Sequence, residues 1–180
     1  MVPSGISLGI GDDFFISRLQ EKPQYTYLRY PFRVDCYLAA YCVEGSVDCS
    51  VNLTDYHLTT GTLLLITPGN IVKITQPEEL DQNLRVTLIC ASTSYITNVG
   101  INPSKFLIEA VEVLRDPCIH LSEDEAGMLH KYVNLALDIA KTNHQFAKES
   151  IGGLISSVFY QFAGFLANSK RRQDMETPAR

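Results

Sequence analysis

Four histidines and five cysteines are the residues of this chain best suited to metal binding or catalysis. Imidazole ligands usually come as H-x-H or H-x-x-x-H, spacings that put two rings on one strand or helix face. His57, His120, His130 and His144 show neither spacing, so each reads as a structural or surface histidine. Cys36, Cys42, Cys49, Cys90 and Cys118 are odd in number, include no C-x-x-C, and three lie in apolar, strand-like context. Reduced, buried thiols of a cytosolic protein fit that pattern better than disulfides or a metal centre. No G-x-S-x-G elbow, glycine-rich phosphate loop or Cys/His nucleophile pair is present. The expectation is therefore no catalytic residue, no metal and no cofactor: a protein that is not an enzyme.

The 180 residues, 46% of them hydrophobic, suffice for one filled core and predict one compact unit. A net charge of -5 gives no overall attraction to nucleic acid or anionic lipid. The start MVPSGISLGIGDD lacks a basic region followed by an apolar one, so no signal peptide is expected and the location is taken as cytoplasmic. Residues 150 to 169 carry no charge and precede Lys170-Arg171-Arg172, the look of a membrane span. Serines, Gln161 and Asn168 dilute that run and its apolar residues sort by face, so a buried or interface helix is expected instead, with no membrane partner.

Residues 25 to 99 are rich in Val, Ile, Thr and Tyr, with frequent turn signals, and predict antiparallel strands. In SVDCSVNL, residues 46 to 53, Val47, Cys49, Val51 and Leu53 alternate with polar residues, which predicts one buried and one wet face. The run Leu63 to Ile66 lacks alternation and should be buried on both faces, or lie near a covered sheet edge. Pro68-Gly69 supplies a turn, Ile71 to Ile74 begins a return strand, and Arg85 to Ala91 forms another.

From residue 103 the period becomes helical. Asn102-Pro103 opens a short helix that Asp116-Pro117 stops, with Phe106, Leu107, Ala110, Val111 and Leu114 on one face. Ser122-Glu123-Asp124-Glu125 is a capping box starting a second helix, whose stripe is Leu129, Val133, Ala136, Leu137 and Ala140. After a break at Asn143-His144, a third helix carries a broad apolar face from Ile151 to Phe165. Its other face, Gly153, Ser157, Tyr160, Gly164 and Ala167, is a heptad-like seam of mostly small residues. That seam suits either the preceding helix of the same chain or a second copy of the chain.

Gly61, seven residues, then Gly69 resembles the second characteristic segment of the cupin barrel, and Gly45 followed by SVDCSVNL sits where the first should be. The resemblance implies histidine ligands at the positions of Val51, Leu53 and Val72, and places no acidic ligand in this chain. The lumen is thus expected to be aliphatic, a cupin-like barrel without cupin metal chemistry. The order of segments, from YPFRVDCYLAAYCVEGSVDCSVNL through LTTGTLLLITPGNIVKI to LSEDEAGMLHKYVNLALDIA and ESIGGLISSVFYQFAGFL, resembles the N-terminal sensing domain of AraC-type bacterial transcription regulators.

That resemblance implies an α+β fold: a jelly-roll type antiparallel β barrel followed by a C-terminal pair of antiparallel helices. Its parts would be a mobile arm at 1–24, the barrel with one short helix at 25–121, a helical dimerisation segment at 122–169 and a linker at 170–180. DNA would be bound only through a helix-turn-helix domain absent from this sequence. A small-molecule effector would sit among Cys49, Val51, Leu53, Val72 and Ile74, with Arg33 and Tyr41 as polar anchors. The same residues could simply fill the barrel as core. Gly153, Ser157, Tyr160, Gly164 and Ala167 would form a homodimer interface. A free-standing cupin-like small-molecule-binding protein or a metal-independent enzyme is the alternative.

Overall fold

The computed structural model describes residues 7–19, 30–106, 111–113 and 115–177. Where one compact unit was expected there are two, Met1–Tyr95 and Ile96–Arg180. The division falls ahead of residue 121, the end of the barrel that the resemblance implied.

The strands of the first unit are β1 (Ser7–Ile10), β2 (Phe14–Leu19), β3 (Phe32–Arg33), β4 (Tyr37–Glu44), β5 (Ser46–Val51), β6 (Thr54–Thr59), β7 (Thr62–Ile66), β8 (Ile71–Ile74) and β9 (Arg85–Ala91). They form two antiparallel ladders. One runs β1-β2-β9-β4-β7 and the other β3-β8-β5-β6.

The glycines bracketing β7 mark changes of ladder. β6 belongs to the second ladder, β7 to the first and β8 to the second again. Gly61 and Gly69 adopt φ of +88° and +94° in the turns where the chain crosses, backbone that glycine takes without a Cβ penalty. The predicted return strand therefore does not pair with the strand before it: β7 pairs with β4, and β8 with β5 and β3. All of β7 is buried, as its unbroken apolar run implies.

The arm expected at residues 1–24 is otherwise where it is described. Residues 7–19 form the β1–β2 hairpin, and β2 is laddered to β9 from Phe14↔Ala91 to Leu19↔Val86. The Ser92 N–H donates to the Asp13 carbonyl at 2.7 Å and its hydroxyl to Asp13 Oδ1 at 2.7 Å. Residues 1–6 and 20–24 lie outside the described residues.

The second unit begins within α1 (Thr93–Asn98) and contains β10 (Cys118–His120), α2 (Glu123–Thr142) and α3 (Ala147–Glu176). Pro103–Phe106 is a 3-10 turn. Of the apolar face expected on the short helix, Leu107, Ala110 and Leu114 lie outside the described residues, and Val111 is exposed.

The capping box of α2 forms in full: the Ser122 hydroxyl accepts the Glu125 N–H, and the Glu125 carboxylate accepts the Ser122 N–H. Asn143 ends α2 in the left-handed conformation. The stripe Leu129, Val133, Ala136, Leu137 is buried, as are Ile151, Ile155, Val158 and Phe165 of α3. By length and composition alone α3 could also cross a membrane, since its most apolar window has mean hydropathy 1.4.

The linker expected from residue 170 is instead helical to Glu176. KRRQDME is made largely of good helix formers, and two of its cations are engaged. Lys170 donates to Glu112, and Arg172 donates to both Glu125 oxygens and to the His120 carbonyl.

Candidate functional site

Residues paired across an antiparallel ladder share a face, so the register assigns the candidate pocket residues without further assumption. Val51 pairs with Val72 and Thr54, and Cys49 with Ile74 and Tyr56; Val47 pairs with Leu58, and Phe32 with Val72. Val47, Cys49, Val51, Leu58 and Val72 are buried, while Ile74 and Tyr56 are half-buried. The structure thus brings together Cys49, Val51, Val72 and Ile74 as expected. It adds Phe32, Tyr56 and Leu58, which the alternation of TDYHLT and the pairing of β3 would have supplied.

Three expected members are not on that face. Leu53 was placed inward by extending the alternation of β5, but the strand ends at Val51 and Asn52-Leu53 is the hairpin turn to β6, with φ of 49° and 71°. Leu53 is 96% exposed. Arg33 pairs with Ile71, one residue out of step with Val72, so it belongs to the opposite face and is exposed. Tyr41 lies in the other ladder, paired with Leu63 and Thr87 and half-buried, with burial and then the nearby Cys42 raising its phenol.

The face is chemically quiet. Burial, then the Asp48 and Asp55 carboxylates, push the Cys49 thiol up to about 11, so it stays protonated. Where the cupin pattern has ligand histidines, Val51 and Val72 are buried aliphatics and Leu53 is out at the turn. These donors do not fit a metal ion. Among the described residues no group of three or more His, Cys, Asp or Glu could hold one. His57 lies on the wet face, where its Nδ1 meets Asp48 Oδ1 of the paired residue at 2.5 Å.

The second expected site lies on the helices. The Tyr132 hydroxyl and Ser157 hydroxyl are 2.6 Å apart, and Glu125 near the start of α2 meets Asn168 and Arg172 near the end of α3. Met128 and Leu135 flank Tyr132 at helical spacing and are 42% and 50% exposed; Tyr160, one turn beyond Ser157, is 44% exposed. Gly153, Gly164 and Ala167 are exposed too. Of the five seam residues, then, Ser157 is bonded to α2, and Gly153, Tyr160, Gly164 and Ala167 are exposed to solvent. A Cβ built at Gly153 or Gly164 meets nothing within 4 Å.

The Glu125 carboxyl is held below its ordinary value. Burial alone would raise it, but the bonds from Arg172, the Ser122 N–H and Asn168 outweigh that.

No protein-family model and no curated protein matches the chain. Among solved structures, the AraC-like transcriptional activator CuxR superposes at TM-score 0.50 and 11% identity, over 86% of this chain and 52% of that one. The chain has an α+β fold, antiparallel strands followed by helices. Apo ToxT from Vibrio cholerae matches at TM-score 0.47 and 11% identity, covering 86% of this chain and 57% of its own. The Schizosaccharomyces pombe Cnp3 cupin domain matches at TM-score 0.38 and 15% identity, covering 53% of this chain and 69% of that one. This chain therefore spans about half the length of CuxR.

Proposed function

We propose that this chain is the effector-sensing and dimerisation domain of an AraC-type transcription regulator, a cytoplasmic, non-catalytic protein. It would comprise a cupin-like barrel followed by an antiparallel helix pair. The observation that carries the reading is the CuxR likeness, which takes in strands and helices together over 86% of the chain. The aliphatic face of β5 and β8 is the surface for an apolar effector.

The open face of α2 and α3 serves the homodimer. A glycine inside a helix costs about 0.5–1 kcal/mol relative to alanine, and nothing near Gly153 or Gly164 requires one. Close approach of a second helix supplies the reason. Sensing is then linkage: an effector that binds one arrangement more tightly shifts its population, and a DNA-binding domain joined to the helices responds.

Sedimentation equilibrium tests the reading. The chain should be a dimer at micromolar concentration, and Gly153→Leu with Gly164→Leu should leave folded monomers. A wild-type monomer, or a double variant that stays dimeric, refutes it.

A further inference from the structure

The five cysteines do not share one environment. Cys42 and Cys49 are buried, and burial above all pushes each thiol up to about 11. Cys36 and Cys90 differ. Tyr37 pairs with Ala91 at the start of the β4–β9 ladder, and Cys36 and Cys90 are the residues just before them, so the register brings the two cysteines close together. Their side chains are hydrogen-bonded to each other. Cys36 is partly exposed and sits in a bend ahead of β4, outside the ladder, while Cys90 is buried inside it.

We infer that Cys36 and Cys90 are a peroxide-responsive pair, an attacking thiol and a resolving thiol, that closes into a reversible disulfide. The inference does not depend on the regulator reading and would hold for a chain that binds no effector.

Their protonation fits those roles. The S–H of Cys90 donated to it holds the Cys36 thiol at about 7, against the upward pull of burial and of the Asp35 carboxylate. The same bond, with burial, pushes Cys90 far up. A low thiol beside a protonated partner at the surface is the arrangement that reacts with peroxide.

The Cys36 thiolate attacks one oxygen of hydrogen peroxide; the O–O bond breaks, hydroxide leaves, and Cys36 becomes a sulfenic acid. The Cys90 sulfur then attacks the Cys36 sulfur, giving up its proton as the S–O bond breaks and water leaves. Each sulfur loses one electron, and the two peroxide oxygens gain them. A cellular dithiol reverses the bond by exchange.

Closing from hydrogen-bond contact to an S–S bond of about 2.05 Å requires movement, and Cys36 is placed to provide it. Val34 to Cys36 is the crossover from β3 in one ladder to β4 in the other. Val34 holds the β7–β8 turn through its N–H to the Asn70 carbonyl at 2.8 Å and its carbonyl from the Gly69 N–H at 2.7 Å. Oxidation therefore shifts the turn beside Val72.

The test uses the full chain, reduced, desalted, exposed to hydrogen peroxide and digested without reductant. Expected is the loss of two hydrogens per chain, a Cys36–Cys90 linked peptide and full recovery with dithiothreitol. Cys90→Ser should stop at a sulfenic acid on Cys36 that dimedone traps, and Cys36→Ser should slow thiol loss by ~10-fold or more. Wild-type protein alone gives a second readout: alkylation of Cys36 should outpace that of Cys42 and Cys49, its rate rising through pH about 7. No oxidation, a disulfide between any other cysteines, sulfinic acid on Cys36 with Cys90 intact, or equal alkylation of the three overturns the inference.

Discussion

Replacing Leu53 by glycine should stabilise the protein, although it deletes a large apolar side chain. Asn52 and Leu53 occupy a two-residue hairpin turn with φ of 49° and 71°. That geometry matches a type I′ turn, whose second position strongly favours glycine. Holding a branched residue in the left-handed region costs roughly 1–2 kcal/mol. Glycine removes that strain but gives the unfolded chain extra freedom worth about 0.4–1 kcal/mol. At 96% exposure Leu53 contributes almost no burial to offset the gain. The net is a gain of about 1 kcal/mol, measured as a higher urea midpoint at unchanged slope. Leu53→Ala separates strain from packing, because it keeps the Cβ penalty and removes the rest of the side chain; it should change stability by less than about 0.5 kcal/mol. A loss of about 2 kcal/mol or more in the alanine variant would mean Leu53 is buried in solution, on the inward face its alternation first indicated, and the turn assignment would fail.

Four further outcomes follow from the same geometry. Arg172→Ala should cost about 1–2 kcal/mol by urea unfolding, since it strips hydrogen bonds from a largely buried carboxylate while Arg172 itself is partly exposed. Because Glu125 is lowered in the folded state, its contribution is complete above the unfolded value of 4.5 and is lost as pH falls below it. Glu125→Gln should flatten stability between pH 5 and acid, and an unchanged slope would exclude that role. Measured at concentrations low enough to keep the chain monomeric, Gly153→Ala should raise the stability of the helical unit by about 0.5–1 kcal/mol, as its Cβ meets no neighbour within the chain. His57→Ala should change stability by less than about 1 kcal/mol, because the Asp48 pair is more than half exposed on both sides. A larger loss would give that pair a role the surface geometry does not.

Local signals in the sequence read well where one element decides them. The alternation of β5, the capping box at Ser122 and the unbroken run of β7 each appear as the physics of burial and capping requires. What could not be read is anything that depends on which strand lies beside which. Arg33 sits opposite Val72's face only because β3 pairs in that register, and a shift of one residue would have turned it inward. The nearness of Cys36 and Cys90 likewise exists only through the β4–β9 ladder. The turn at Leu53 was hidden because leucine continues an apolar alternation and is unusual at such a φ. The KRRQDME segment read as linker because its polarity is that of a solvated chain; the Glu125 partner of Arg172 lies far back in the sequence.

The two glycines around β7 have a consequence for how the first unit is made. Neither ladder is built from one continuous piece of chain: the first draws on residues 7–19, 37–44, 62–66 and 85–91, the second on 32–33, 46–59 and 71–74. Each crossing at Gly61 and Gly69 interleaves them further. Neither ladder can therefore be completed while the other is missing its share of chain, and the contacts that close both are far apart in sequence. Such a unit should fold slowly and all at once. A single cut between residues 75 and 84 would separate β9 from both its partners' ladder neighbours and should cost the whole unit its cooperativity, leaving no stable half.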